Sequence, residues 1–126
     1  MVAGGSEFIL GAKRDALGTV VLLGAGGVMA EIYEDTALRV LPAGGGLTAA
    51  EALAMARDLK AWPLLDGYRG RPQADVEALA RTVVAFSHLA AALGGRLVEA
   101  EINPLFVLAD GKGVHAADGV VILTDF

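Results

Sequence analysis

The sequence predicts an α+β domain, in which an antiparallel sheet of about five to six strands carries two helices on one face. Short apolar runs separated by glycine-rich links are typical of neighbouring antiparallel strands. Residues 48–59 and 75–93 instead repeat apolar positions at helical spacing. Because the order is several strands, two helices and two further strands, we expect both helices to cover one face of a single sheet.

Composition limits the classes of function. The chain has 126 residues, is 55% hydrophobic and carries a formal net charge of −5, which suits one domain and disfavours binding to nucleic acid or to an anionic membrane. It has no cysteine, which excludes disulfides, thiolate metal sites and thiol catalysis. The longest apolar stretch, residues 20–30, is too short for a membrane span and contains three glycines. We therefore expect a cytoplasmic location.

Four strands are predicted in the first third of the chain. Residues 7–13, 20–23, 28–33 and 37–41 are the apolar runs, and a glycine-rich loop separates the second run from the third. Pro42 and the glycines that follow it end this sheet segment.

Two helices come next. Thr48 and Glu51 have the spacing of a capping box, so the first helix begins there and extends to about Leu59. From Asp75 the apolar positions step by three and four residues until the glycines at 94 and 95, which predicts the second helix. Residues 62–72, rich in proline and glycine, are predicted to form no regular element but to pack onto the body.

A β-hairpin is predicted at the end of the chain, with strands at residues 97–108 and 113–123. Asp110-Gly111 is typical of a two-residue turn with positive φ at both central positions. With that turn, the residue numbers of each facing pair add up to 221. Asn103 and Asp118 obey this rule, so they are expected to face each other with Cβ atoms about 4.5–5.5 Å apart.

Glu101 joins this pair, since a spacing of two residues places it on the same strand face as Asn103. Two carboxylates and an amide carbonyl suit a hard cation such as Mg²⁺ or Mn²⁺ that also holds substrate phosphates. A hairpin whose polar face only meets water has the same pattern, and spacing alone leaves both interpretations open. Pro104 indicates an irregularity or a sheet edge here.

These residues resemble a known family. Residues 101–105, Glu-Ile-Asn-Pro-Leu, followed by a strand with Asp118, resemble the metal-binding hairpin of ATP-grasp enzymes in the succinyl-CoA synthetase β-chain group. Residues 63–72, with Asp75 beyond them, are similar to the ATP-binding domain of NDP-forming acyl-CoA synthetases, which include ADP-forming acetate–CoA ligases. Residues 5–15 and 26–31 fit as well, so the resemblance covers nearly the whole chain.

The resemblance implies that residues 1–126 form one C-terminal ATP-grasp subdomain. The N-terminal subdomain and the CoA-binding and phosphohistidine domains would then lie outside this sequence, as further domains or subunits that act as partners. The full enzyme would convert carboxylate, CoA and ATP into acyl-CoA, ADP and phosphate, with Mg²⁺ or Mn²⁺ as cofactor. We expect no catalytic nucleophile in this chain and no ligase turnover by it alone.

The resemblance also implies roles for individual residues. Asn103 and Asp118 would bind the metal, Glu7 would contact the nucleotide, and Val2 would lie near the hinge that receives adenine. From the residues alone, Glu7 is equally a solvent-facing strand residue. Residues 16–19, Ala-Leu-Gly-Thr, depart from the Phe-Gly-Pro-like stretch that is usual in the family.

Neither histidine is expected to carry a phosphoryl group. His88 lies within the second predicted helix, and the odd parity of His115 predicts that it faces away from Asp118.

Two other functions remain open from the sequence. The chain is alternatively a non-catalytic association module, whose uncovered apolar face would favour a homodimer. It is alternatively the same subdomain within a fused lysine acetyltransferase.

Overall fold

The computed structural model describes residues 6–16, 18–26, 34–67, 70 and 72–124. Within this part of the chain the strands form one antiparallel six-stranded sheet in the order β3-β2-β1-β4, with β5 and β6 both pairing with β4. The strands are β1 (Ser6–Asp15), β2 (Gly18–Ala25), β3 (Thr36–Val40), β4 (Leu97–Val107), β5 (Val114–Ala116) and β6 (Gly119–Leu123). The helices are α1 (Ala49–Asp58), α2 (Trp62–Leu65) and α3 (Val76–Leu93), followed by a 3-10 turn, Gly94–Arg96. The predicted α+β class is confirmed, whereas the strand predicted at residues 28–33 lies outside the described residues.

The core lies between the helices and one face of the sheet, here called the inner face. On β1, Phe8, Leu10 and Ala12 point into this core and are buried. Helices α1 and α3 pack on it and on each other. Residues 7, 9, 11 and 13 of the same strand therefore point to the opposite side, the outer face, because side chains alternate along a strand.

Both long helices begin and end where the sequence predicts. In the capping box of α1, the hydroxyl of Thr48 accepts from the amide of Glu51 at 3.2 Å, and the Glu51 carboxylate accepts from the amide of Thr48 at 2.9 Å. Hydrogen bonds from the backbone amide and from the side chain of Thr48 lower the pKa of the Glu51 carboxyl. Asp75 caps the start of α3, and Gly94 ends it with a positive φ of 52°.

Helix α3 and the turn after it are long and apolar enough, by length and composition, to cross a membrane. One side of this helix is nevertheless core, with Leu79, Val83 and Phe86 buried against the sheet. Glu77 and Arg81 lie exposed on the other side. Packing against the sheet accounts for the apolar character of this helix.

Two predictions about regular elements were wrong. Residues 62–72 contain the short helix α2, in which Pro63 occupies the first turn, where its missing N–H is not needed. The strand predicted at residues 113–123 is divided into β5 and β6 by a break at Ala117 and Asp118.

The predicted turn conformation was also wrong. Gly111 has a positive φ of 81°, but Asp110 does not. The amide of Asp110 donates to the carbonyl of Gln73 at 2.9 Å, a bond to another part of the chain that its own sequence neighbours do not reveal.

Candidate metal and nucleotide site

The hairpin has the predicted register. Its facing pairs keep a residue-number sum of 221 on both sides of the β5–β6 break: Val107 with Val114, Phe106 with His115, Leu105 with Ala116, Ile102 with Gly119, Glu101 with Val120, Ala100 with Val121 and Glu99 with Ile122. Between these pairs, the amide of Asn103 donates to the carbonyl of Asp118 at 3.2 Å. Asn103 and Asp118 therefore face each other on adjacent segments, as predicted from the spacing.

A β-bulge in β4 determines which way Asn103 points. On β1, Phe8 pairs with Leu105 and Leu10 with Ile102, so Asn103 and Pro104 together oppose Ile9. The bulge adds one residue to β4 and so shifts the alternation of its side chains between the two faces. Leu105, on one side of the bulge, therefore points to the inner face, and Glu101, on the other side, points to the outer face. The irregularity predicted from Pro104 is this bulge.

Four oxygen-bearing side chains line one cleft of about 250 Å³ on the outer face, namely Glu99, Glu101, Asn103 and Asp118. The side-chain amide of Asn103 donates to a carboxylate oxygen of Glu101 at 3.0 Å, which leaves its carbonyl oxygen as an acceptor. One carboxylate oxygen of Asp118 accepts from the amide of Gly119 at 2.9 Å. The full lining is Glu99, Glu101, Asn103, Asp118, Gly119, Val120 and Ile122.

This donor set fits Mg²⁺ or Mn²⁺. Magnesium keeps several waters and binds to proteins through one or two carboxylates together with substrate phosphates, and the exposed positions of Asn103 and Asp118 leave room for both. Among the described residues, no group of three or more His, Cys, Asp or Glu side chains is arranged to hold a metal. The fit therefore depends on the amide oxygen of Asn103 as well as on the carboxylates.

The cleft lies beside a larger concavity of about 730 Å³ on the outer face. Its wall is largely apolar, with Ile9, Leu22 and Leu38 on three successive strands, and Glu99 and Glu101 belong to both spaces. From the sequence we expected an uncovered apolar face only for a non-catalytic association module, and we assigned no residues to it. The sequence signal for this surface is the set of apolar residues at those alternate positions of β1, β2 and β3 that do not belong to the core.

Glu7 lies on this same outer face but outside both the cleft and the concavity. It is exposed and pairs with Phe106 on the neighbouring strand β4. It lies three residues from Leu10, which is about 10 Å along β1. Its carbonyl accepts from the amide of Gly26 at 2.8 Å. Val2 lies outside the described residues.

The structure corrects the prediction for His115. It pairs with Phe106, which pairs with Glu7, so all three lie on the outer face. The predicted opposite orientation to Asp118 was wrong, because the break between β5 and β6 shifts the alternation by one residue. His88 is exposed on α3, on the other side of the sheet, and no histidine lines the cleft.

The family profile of the ATP-grasp domain matches residues 1–123. The chain belongs to the ATP-grasp family. Among curated relatives, it is 34% identical over 124 residues to the β subunit of ADP-forming acetate–CoA ligase II of Pyrococcus furiosus, covering 98% of this chain and 51% of the relative. It is 40% identical over 120 residues to the β subunit of ligase I of the same organism, covering 94% of this chain and 49% of that relative. This ATP-grasp chain thus spans about half the length of these two relatives.

A solved structure agrees with this assignment. The dinucleotide-forming acetyl-coenzyme A synthetase 1 of Ca. Korarchaeum cryptofilum, in complex with coenzyme A and Mg-AMPPCP, superposes with a TM-score of 0.85 at 30% identity. The match covers 98% of this ATP-grasp chain and 55% of that chain. The homologues of this ATP-grasp domain are therefore ADP-forming acyl-CoA ligases.

Proposed function

We propose that this chain is the ATP- and metal-binding portion of an ADP-forming acyl-CoA ligase, which converts a carboxylate, CoA and ATP into acyl-CoA, ADP and phosphate. The observation that carries the proposal is the hairpin that brings Glu101, Asn103 and Asp118 to one cleft. The family assignment supports this interpretation of the hairpin, since a relative of known structure was solved with Mg-AMPPCP.

Asn103 and Asp118 are the proposed ligands of Mg²⁺ or Mn²⁺. The hydrogen bond from Asn103 to Glu101 turns the carbonyl oxygen of the amide away from Glu101, and the bond from Gly119 orients the carboxylate of Asp118. A divalent ion bound here would supply charge neutralisation for the transferred phosphoryl group of ATP.

The nucleotide is proposed to lie along the outer face, with its phosphates at the cleft. The apolar concavity beside the cleft offers Ile9 and Leu22 for contact with the apolar parts of the nucleotide. Glu7, with Val2 near it in sequence, is proposed to contact the nucleotide farther along β1. Glu7 lies three residues along β1 from Leu10, the partner of Ile102. The end of the nucleotide near Glu7 is therefore separate from the phosphate end.

This chain is proposed to need partners for the complete reaction. The transferred phosphoryl group must be surrounded by positioned cations and hydrogen-bond donors, and one open sheet face contacts it from one side only. The remaining ATP-grasp and CoA-binding domains or subunits of a cytoplasmic ligase would supply the rest. By itself, the chain is expected to hold the metal and nucleotide without ligase turnover.

A Mn²⁺ titration followed by NMR line broadening tests the site. Broadening is expected to centre on Asn103 and Asp118, and Asp118→Asn should weaken Mn²⁺ binding by about tenfold or more, since it removes a charged ligand. Asp110→Asn is the matched control, because it removes one exposed carboxylate at the turn of the same hairpin. Broadening centred elsewhere, or equal effects of the two substitutions, would contradict the proposal.

A second function, association without catalysis, is favoured by one observation. Leu38 and Val40 point from β3 to the outer face and are 55% and 53% exposed. In a complete ATP-grasp enzyme another domain would cover this face, whereas in a non-catalytic module a second copy would cover it. A fused lysine acetyltransferase would use the same subdomain, and its acetyl-transfer domain would lie outside this sequence.

A further inference from the structure

Asp75 connects the start of helix α3 to the turn of the metal hairpin. One carboxylate oxygen accepts from the amide of Ala78 at 3.0 Å, which is the helix cap. The other accepts from the amide of Gly113 at 2.8 Å, 38 residues away in the sequence. Asp75 is only 6% exposed; its bond to Ala78 is buried, and its bond to Gly113 is partly buried.

The backbone next to Asp75 reinforces this connection. The amide of Asp75 donates to the carbonyl of Leu108 at 2.8 Å, and the amide of Asp110 donates to the carbonyl of Gln73 at 2.9 Å. Ala74 and Ala109 form an antiparallel bridge between the same two segments. Residues 73–75 therefore contact both arms of the turn, and Asp75 is the member that reaches Gly113 through a side chain.

Gly113 is the residue at which the second arm of the hairpin begins. Its carbonyl accepts from the amide of Leu108 at 3.0 Å, and this bond precedes the pair formed by Val107 and Val114. A slip of one residue in an antiparallel pair turns every side chain to the other face. Such a slip would separate Asp118 from Asn103.

Side-chain burial does little to hold this register in place. All five residues of β6 are exposed, so no burial of one face selects between alternative registers there. In β5 only Val114 packs against the core. Register is weakly specified where neither face of a strand is buried, and the turn must then specify it.

We propose that Asp75 is a positioning residue for the metal site. Through Gly113 its carboxylate fixes the register of the hairpin, and this register brings Asn103 and Asp118 together. The effect on metal binding rests on the proposed function, whereas the effect on register does not. A metal site that is assembled in only a fraction of molecules binds metal with an affinity reduced by that fraction.

Asp75→Ser separates the two bonds of Asp75. Serine is a good helix cap, so the bond to Ala78 is retained, but its single short hydroxyl does not supply a second acceptor to Gly113. The matched control is Thr48→Ala, which removes the capping hydroxyl of the other long helix, α1. If Asp75→Ser does not fold, Asp75→Asn is used instead, because it also offers one acceptor.

The first measurement needs no metal. In the 126-residue chain, the amide of Gly113 is expected to exchange with solvent at least about tenfold faster in Asp75→Ser than in the wild type. Cross-strand NOEs between residues 103 and 118 should weaken as well. Thr48→Ala should leave both unchanged. Unchanged Gly113 exchange and unchanged NOEs in Asp75→Ser would overturn the proposal.

The second measurement is the affinity for Mn²⁺ alone. We expect the affinity for Mn²⁺ to fall by about tenfold in Asp75→Ser and by less than about twofold in Thr48→Ala. The comparison is made between variants with similar melting temperatures. Equal losses in the two variants would show a merely structural role and overturn the proposal. If the wild type binds no Mn²⁺ at the hairpin, the proposed function fails, and the metal-free measurement still decides whether Asp75 fixes the register.

Discussion

At the scale of single residues, Gly46 lies where the loop after β3 packs tightly against helix α3. A Cβ atom at this position would lie 2.8 Å from the hydroxyl oxygen of Ser87 and 2.8 Å from the imidazole of His88. The exposed His88 has room to turn away. Ser87 has none, because its buried hydroxyl accepts from the amide of Leu47 at 2.8 Å and donates to the carbonyl of Val84 at 2.7 Å.

Gly46→Ala is therefore expected to lower the free energy of unfolding by about 1–3 kcal/mol, the usual cost of adding volume to a tightly packed position. Urea denaturation measures it. Gly45→Ala is the matched control, because a Cβ there would meet Pro42 at an ordinary distance of 3.5 Å. Similar stabilities for the two variants would show that the loop moves away from α3 without cost.

Residues of the candidate site differ in how far the sequence could predict them. The opposition of Asn103 and Asp118 followed from the position of the turn, because register in a hairpin is a local property. The bond between Asp75 and Gly113 did not, since it joins residues that only the tertiary fold brings together. His115 was assigned to the wrong side because alternation was counted through a break that the sequence does not show.

At the scale of elements, the start of helix α3 depends on a charge. The amides of Ala78 and Gly113 donate to the carboxylate of Asp75, and they lower its pKa below the ordinary value. A carboxyl whose pKa is lowered in the folded state contributes stability above its unfolded pKa, about 3.9 for aspartate. That contribution is lost as the pH falls through the lower, folded value.

We therefore expect the stability difference between the wild type and Asp75→Asn to be complete at pH 7 and nearly complete down to about pH 5. It should shrink progressively below about pH 4, since the protonated wild type then resembles the amide variant. Urea denaturation at a series of pH values measures this difference. A difference that stays constant from pH 7 to pH 3 would show that the charge of Asp75 does not stabilise the helix start.

Elements with strong local signals were predicted well. Helix α3 combines a regular apolar stripe with a cap and a terminal glycine, and α1 has a complete capping box. The short helix α2 was missed because only four residues form it and one of them is a proline. The division of β5 from β6 was missed because apolar residues typical of strands lie on both sides of Asp118.

At the scale of the whole molecule, the sheet has two unlike faces. Helices α1 and α3 cover the inner face, whereas the outer face is open and carries apolar side chains beside the metal cleft. The sequence predicted the fold class because core positions alternate in the strands and repeat at helical spacing in the helices. It did not show which residues form the apolar outer face, since an exposed apolar surface has the same composition as a core.

The open outer face predicts self-association of the isolated chain. Burying exposed Leu38 and Val40 against a second copy removes apolar surface from water, which favours a dimer. Light scattering over a range of concentrations should show a mass above that of one chain. The double substitution Leu38→Glu and Val40→Glu should return it to a monomer, because like charges would then meet at the contact.

The control for this prediction lies on the other side of the molecule. Leu89 is 48% exposed on helix α3, so Leu89→Glu also removes an exposed apolar side chain and adds one charge, but not on the outer face. It should leave the mass unchanged. A wild-type chain that stays monomeric at all concentrations would contradict self-association through this face. Loss of association in the Leu89 variant would assign the contact to the helical side, and the outer face would then remain open for the nucleotide and for another ATP-grasp domain.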